Sequence, residues 1–210
     1  GIDLRPFEGV AASLRVEMGL SGALIVGLVG RLSREKGVDI FLRAAARVLT
    51  EVPEARFVVV GDGPDRDQLE SLIDELGIRG SVILLGRRDD MPGIYASLDV
   101  MVSSSRQEGL PMAILEGMAS RLPLVATAVG EVPAVVVDHV TGLLVAAEDV
   151  EGLAAAIGKL LRDRGLRERF GGAARVLVEE KYSAARMTAD YLRVYEAAIA
   201  ETAGSGGVAR

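Results

Sequence analysis

Short apolar runs alternating with amphipathic segments predict an α/β fold, a doubly wound parallel sheet of about six strands with helices on both faces. Three observations carry that reading. The first run, residues 23–29 (ALIVGLV), is unbroken, as a strand buried on both faces must be. The segments between runs repeat apolar residues at three-to-four spacing, the helical period, and parallel strands need such crossovers. Glycines, cations and small polar residues cluster just after the runs, at the carboxyl ends where an open parallel sheet binds ligands.

In chain order, the first strand ends at Gly30. Arg31 and Lys36 follow in a loop, ahead of a helix over 38–49 (VDIFLRAAARVL). A glycine at a strand end followed by two cations suits a diphosphate, because arginine offers a planar fork and lysine a mobile point charge. Cations at a helix start oppose the macrodipole, so helix capping does not explain them. Residues 56–60 (RFVVV) form the second strand, and Gly61-Asp62-Gly63-Pro64 opens a helix over 65–76. The third glycine of a dinucleotide fingerprint is missing there. Asp65-Arg66-Asp67 imitates an Asp-x-Asp metal motif, yet acids in a first helical turn satisfy its dipole, and no metal site is expected. Residues 81–85 (SVILL) make the third strand, ending at Gly86 with Arg87 and Arg88 behind it, and 90–97 a short helix.

The fourth strand, 99–103 (DVMVS), leads into the stretch that carries the most chemistry, SSSRQEGLPMAILEGMASRLPLVATAVGEVP over 103–133. Pro111 suits the first helical position, so a helix should begin close to it and continue through the apolar-periodic segment 112–119. The first amides of that helix lack intrahelical partners and sit at the positive end of the macrodipole, a seat for an anion that Gly109 lets come close. Glu116 lies inside the helix and leans back toward its start; Glu108 lies just before it. Two acids beside an anion seat would repel a bare phosphate. A ligand with phosphates at the helix start and sugar hydroxyls for the carboxylates fits better, and a nucleotide sugar has that layout. Taken singly, Glu108 reads rather as an exposed loop acid stabilised by the helix dipole and Glu116 as a solvated helix position.

Residues 123–126 (PLVA) form the fifth strand, followed by 127–130 and a short helical piece from Val132; 142–145 (GLLV) is the sixth. Helices are expected over 150–161, 165–178 and 184–200, and residues 201–210 as a flexible tail. His139, the single histidine, sits in a turn-like VDHVTG context and reads as structural or exposed. The chain has 210 residues, 50% hydrophobic and 26% charged, enough for one sizeable core. A net charge of −6 argues against a nucleic-acid footprint. The absence of cysteine removes disulfides, thiolate nucleophiles and cysteine zinc sites, and it suits a reducing compartment. No apolar run approaches the ~20 residues of a membrane span.

Glu108 and Glu116, with seven residues between them and Gly109-Leu110-Pro111 after the first, resemble the Glu-x7-Glu motif of the family 4 retaining glycosyltransferases, the group 1 enzymes of two-domain GT-B architecture. Gly30-Arg31-Leu32-x3-Lys36-Gly37 resembles their diphosphate segment, Gly61 to Pro64 the turn after their second strand, and Ala126-Thr127-x2-Gly130-x2-Pro133 the loop after their fifth. The opening, GIDLRPF, resembles the crossing from their first domain to their second.

The resemblance implies that residues 1–200 are the Rossmann-like donor domain of a longer enzyme, whose acceptor-binding N-terminal domain is its partner. It also implies a nucleotide diphosphate sugar as co-substrate, no obligatory cofactor or metal, and retention of configuration. By the same token Arg31, Lys36 and Glu108 would be catalytic, and Gly30, Arg31, Lys36, Arg88, Glu108, Gly109, Leu110, Pro111 and Glu116 would bind donor. Glu116 would hold the ribose, and Glu108 the transferring sugar with little effect on free nucleotide. Glu131 stands where the family usually has a second glycine, which bears on the sugar accepted. A cytoplasmic location is expected, with any peripheral membrane contact confined to the other half, and the isolated domain should be inactive. Two alternatives stay open from the residues alone: a nucleotide-sugar epimerase or synthase of the same architecture, and a non-catalytic nucleotide-binding module.

Overall fold

A computed structural model describes residues 1–109 and 111–205. Leu110 and residues 206–210 lie outside the described residues. The strands are β1 (Ile25–Val29), β2 (Arg56–Val60), β3 (Val82–Gly86), β4 (Val100–Ser103), β5 (Leu124–Thr127) and β6 (Gly142–Val145). They form one sheet in the order β3-β2-β1-β4-β5-β6, every pairing parallel. All six expected strands are present, their ends shifted by two residues at most.

Successive side chains of a strand point to opposite faces, so each face must be covered. Val26 and Leu28 of β1, Phe57 and Val59 of β2, and Val100 and Val102 of β4 join one buried cluster with α2 (Val38–Glu51), α3 (Arg66–Glu75) and α7 (Val150–Arg162). Ile25, Val58, Val60 and Met101 enter the opposite cluster with α4 (Met91–Ser97), α5 (Met112–Ala119) and the latter part of α8 (Arg164–Lys181). Helix α2 shows why its stretch is helical. Val38, Phe41, Ala44, Ala45 and Val48 recur at the helical period and are buried, with Phe41 edge-on to Phe57 at 5.7 Å. Each such large side chain contributes about 1.5–3 kcal/mol by leaving water.

Two short elements near the start were not anticipated, a 3-10 turn at Arg5–Phe7 and α1 (Ser13–Glu17). Between β5 and β6 lies α6 (Val132–Val135), and the last helix, α9 (Ala184–Ser205), runs five residues past its expected end into the stretch read as a tail. The rest of that tail is outside the described residues. No described helix is long and apolar enough to cross a membrane.

The sheet order reverses between β1 and β4. From β1 the chain winds outward to β2 and β3, then returns to the other side of β1 and winds outward through β5 and β6. The helices that follow β1 and β4, α2 and α5, therefore lie on opposite faces of the sheet and leave a crevice at the carboxyl ends of these strands, the place where such sheets hold ligands.

Candidate functional site

A cleft of about 380 Å³ occupies that crevice, lined by Gly30, Arg31, Lys36, Ser105, Glu108 and Pro111, with Met112, Ala113 and the ends of β1 and β4 completing its wall. The β1 loop makes a 3-10 turn over Arg34–Lys36 and then Gly37, which has φ +60° and begins α2. A Cβ on Gly37 would stand 2.0 Å from the Ser104 carbonyl oxygen, so glycine is needed both for the backbone and for the approach of the two loops. That approach carries Lys36 to Glu108 across 72 residues of sequence.

Lys36 Nζ donates to both Glu108 oxygens, at 2.7 and 2.9 Å, and Ser105 Oγ donates to Oε2 at 2.8 Å. The Glu108 side chain is only 10% exposed and Lys36 31%, so this is a half-buried, fully hydrogen-bonded acid. The plain reading of Glu108 as an exposed loop acid is thereby excluded. Behind Ser105, the buried Thr127 hydroxyl donates to the Ser105 carbonyl at 2.6 Å. Gly130, at φ +52°, lies against the Glu108 backbone so closely that a Cβ would stand 1.8 Å from its carbonyl oxygen. This contact, together with Thr127, gives the sequence pattern after β5 a structural purpose: it supports the Glu108 loop.

Arg106 fixes the same loop from outside. Its guanidinium donates to both Asp39 oxygens at 2.7 and 2.8 Å, to the Arg34 carbonyl at 2.9 Å, and to Glu148. That hydrogen-bonded cation holds the Asp39 carboxyl below its ordinary range. Sequence reasoning assigned no role to Ser105, Arg106 or Thr127. The run of small polar residues after a strand marked the loop but could not reveal its partners.

Arg31 is exposed at the cleft and its guanidinium makes no hydrogen bond or ion pair among the described residues, which leaves its fork available to an anion. Pro111 is the residue before the first turn of α5, φ −77° and ψ 108°, so the helix begins at Met112. The amides of Met112 and Ala113, at the cleft wall, have no intrahelical acceptor. Gly109 is exposed between Glu108 and this helix, and Leu110 is outside the described residues.

Three of the described residues expected to bind donor, Gly109, Glu116 and Arg88, do not line the cleft. Glu116 lies one turn beyond Ala113 on α5, half-buried, and its Oε2 accepts from the Tyr95 hydroxyl at 2.7 Å. Arg88 is committed elsewhere, in paired bonds to Glu17 of α1 at 2.8 Å and to Asp90 at 2.8 and 2.9 Å. Its charge is satisfied by two acids, one on an element that the sequence did not announce.

A second groove of about 450 Å³ between α2 and α3 mixes Arg34, Arg43 and Arg106 with Asp39, Asp65 and Glu75, a balance that favours no phosphate. Among the described residues no group of three or more acids or histidines converges as a metal site would require. Asp67 lies in the first turn of α3, and His139 is exposed in a turn at φ +58°. The β1–β4 cleft combines cations, free helix amides and a placed carboxylate, which is a chemistry for an anion bearing hydroxyl groups.

The chain resembles known proteins over most of its length. It is 38% identical over 178 residues to the alpha-D-kanosaminyltransferase of Streptomyces kanamyceticus, an overlap of 84% of this chain and 46% of that one. It spans about half the length of the curated relatives it matches. Its fold superposes on HepE of Anabaena, solved with UDP, with a TM-score of 0.87 over 94% of this chain and 56% of that one at 24% identity. A solved C-terminal domain of a glycosyl transferase group 1 family protein from Francisella tularensis is covered completely by 88% of this chain, with 29% identity and a TM-score of 0.79. The pattern described as glycosyl transferases group 1 matches residues 15–177, well over half of the sequence, and the chain belongs to that family.

Proposed function

We propose that this chain is the donor-binding domain of a glycosyltransferase that takes a sugar from a nucleoside diphosphate sugar. The observation that carries the reading is the meeting of Arg31, Lys36 and the free amides of α5 at one crevice, with Glu108 fixed beside them. Arg31, Lys36 and those amides would hold the diphosphate and offset the negative charge that grows on the departing nucleotide, stabilisation aimed at the leaving group. Glu108 would face the transferring sugar, where a carboxylate near a carbon gaining positive character stabilises the transition state beyond the ground state. Glu116 would serve the ribose. Retention of configuration and metal independence belong to this reading through the family resemblance, and the acceptor would be bound by a second domain.

The test is calorimetric titration of the domain with uridine, guanosine and adenosine diphosphates. Arg31→Ala and Lys36→Ala should each weaken binding by roughly 1.5–3 kcal/mol, the scale of hydrogen bonds to charged groups. Added salt should weaken the unaltered chain as well. If neither substitution changes the affinity while the fold stays intact, the diphosphate assignment is wrong.

A further inference from the structure

We propose that Tyr95 is a positioning residue for Glu116, fixing which carboxylate oxygen a bound nucleotide meets; this rests on the reading of Glu116 as the group that serves the ribose. Tyr95 comes from α4, twenty-one residues from Glu116 in sequence, and its ring is fully buried. The ring packs edge-on to Phe7 at 6.1 Å, among the apolar side chains that cover one face of the sheet. Such a ring has little freedom, so its hydroxyl is a fixed point. It donates to Glu116 Oε2 at 2.7 Å, the short length typical of a bond to a charged acceptor. Burial, reinforced by the neighbouring carboxylate, pushes the phenol well above its ordinary range, so it stays protonated, and a donor, at neutral pH.

A single bond to one oxygen has a directional consequence. With Oε2 occupied, Oε1 makes no hydrogen bond among the described residues. Glu116 stands one turn along α5 from Ala113, which lines the cleft, so Oε1 is the oxygen left for a ligand hydroxyl. A carboxylate on an otherwise mobile glutamate would lose rotamer freedom on binding; one already held by a rigid phenol has lost it beforehand. Tyr95 therefore contributes to affinity only through Glu116, and only for ligands that carry the hydroxyls Glu116 accepts from.

The experiment compares the 210-residue chain with Tyr95→Phe and Glu116→Gln. Phenylalanine fills the same space and removes only the hydroxyl. Each protein is titrated with uridine, guanosine and adenosine diphosphates and with the 2′,3′-dideoxy form of each, and its thermal unfolding is recorded. For the nucleotide that binds, Tyr95→Phe should raise the dissociation constant by roughly 3–10-fold, less than the roughly 10–150-fold for losing a direct hydrogen bond to a charged group, because Tyr95 acts only through Glu116. The dideoxy form should change by less than about 2-fold, so that the preference for ribose shrinks in both variants. If the unaltered chain prefers ribose, Glu116→Gln loses that preference and Tyr95→Phe keeps it, the positioning role is overturned and the ribose assignment stands. If Tyr95→Phe weakens both forms equally, Tyr95 is only structural. If no nucleotide binds, or the unaltered chain and Glu116→Gln treat both forms alike, the ribose assignment falls and the inference falls with it.

Discussion

Glu108→Gln should tighten the binding of free nucleoside diphosphate, contrary to the sequence-level expectation that Glu108 hardly touches it. Lys36 Nζ gives both of its described hydrogen bonds to Glu108, at 2.7 and 2.9 Å, in a pair whose side chains are 31% and 10% exposed. A diphosphate must draw Lys36 away from that acid or share it, and it must also approach a carboxylate of like charge. Glutamine keeps a hydrogen bond from the Lys36 cation but removes the Coulombic attraction of the pair and the repulsion of an incoming phosphate, together on the order of 1 kcal/mol at a partly exposed site. The substitution therefore lowers the cost of recruiting Lys36 by about 1 kcal/mol, or roughly 5-fold in the dissociation constant. Titration calorimetry on the domain measures it directly. The gain should vanish in a Lys36→Ala background, where no cation is left to release. An unchanged or weaker affinity in Glu108→Gln, with the fold intact, would refute competition for Lys36. In the whole enzyme the same substitution should lower turnover more than it raises the Michaelis constant, because its benefit to nucleotide is unrelated to the sugar.

Gly130→Ala should destabilise the chain by about 2–4 kcal/mol in chemical denaturation, since it adds left-handed backbone strain of roughly 1–2 kcal/mol to a clash with the Glu108 carbonyl. Gly109→Ala, whose added Cβ meets nothing within 4 Å, is the control and should stay within about 0.5 kcal/mol. Arg106→Met should destabilise most above about pH 4. Arg106 holds Asp39 below its unfolded value of 3.8, so the unfolded chain binds the extra proton. The stabilisation is thus complete above that value and is lost as pH falls through the lower folded one, and denaturation curves of the two proteins should converge toward acid. A constant difference down to pH 2 would refute the role given to that ion pair.

How much of this was legible beforehand follows from which interactions are local. Periodicity and burial pattern are properties of a few consecutive residues, so the runs at 56–60 and 142–145 identified β2 and β6 with their exact bounds, and the apolar stripe of α2 announced its buried face. Glycine after a strand, and proline at a helix start, marked the loops that would carry ligand chemistry. The opening 3-10 turn and α1 escaped because a few residues with weak pattern carry little periodic signal, and with α1 went Glu17, one of the two acids that occupy Arg88.

Pairings between loops are different in kind, because they depend on which strands become neighbours. Only the order that seats β4 beside β1 brings the Lys36 loop against the Glu108 loop, and only the packing of α4 on the same face as α5 brings Tyr95 under Glu116. The residue types and their spacing determined that an anion with hydroxyl groups could be held here. Which cation Glu108 would meet, and which oxygen Glu116 would keep free, was decided by tertiary contacts between segments 72 and 21 residues apart, because hydrogen-bond partners are chosen by distance in space and a one-dimensional pattern does not contain that distance.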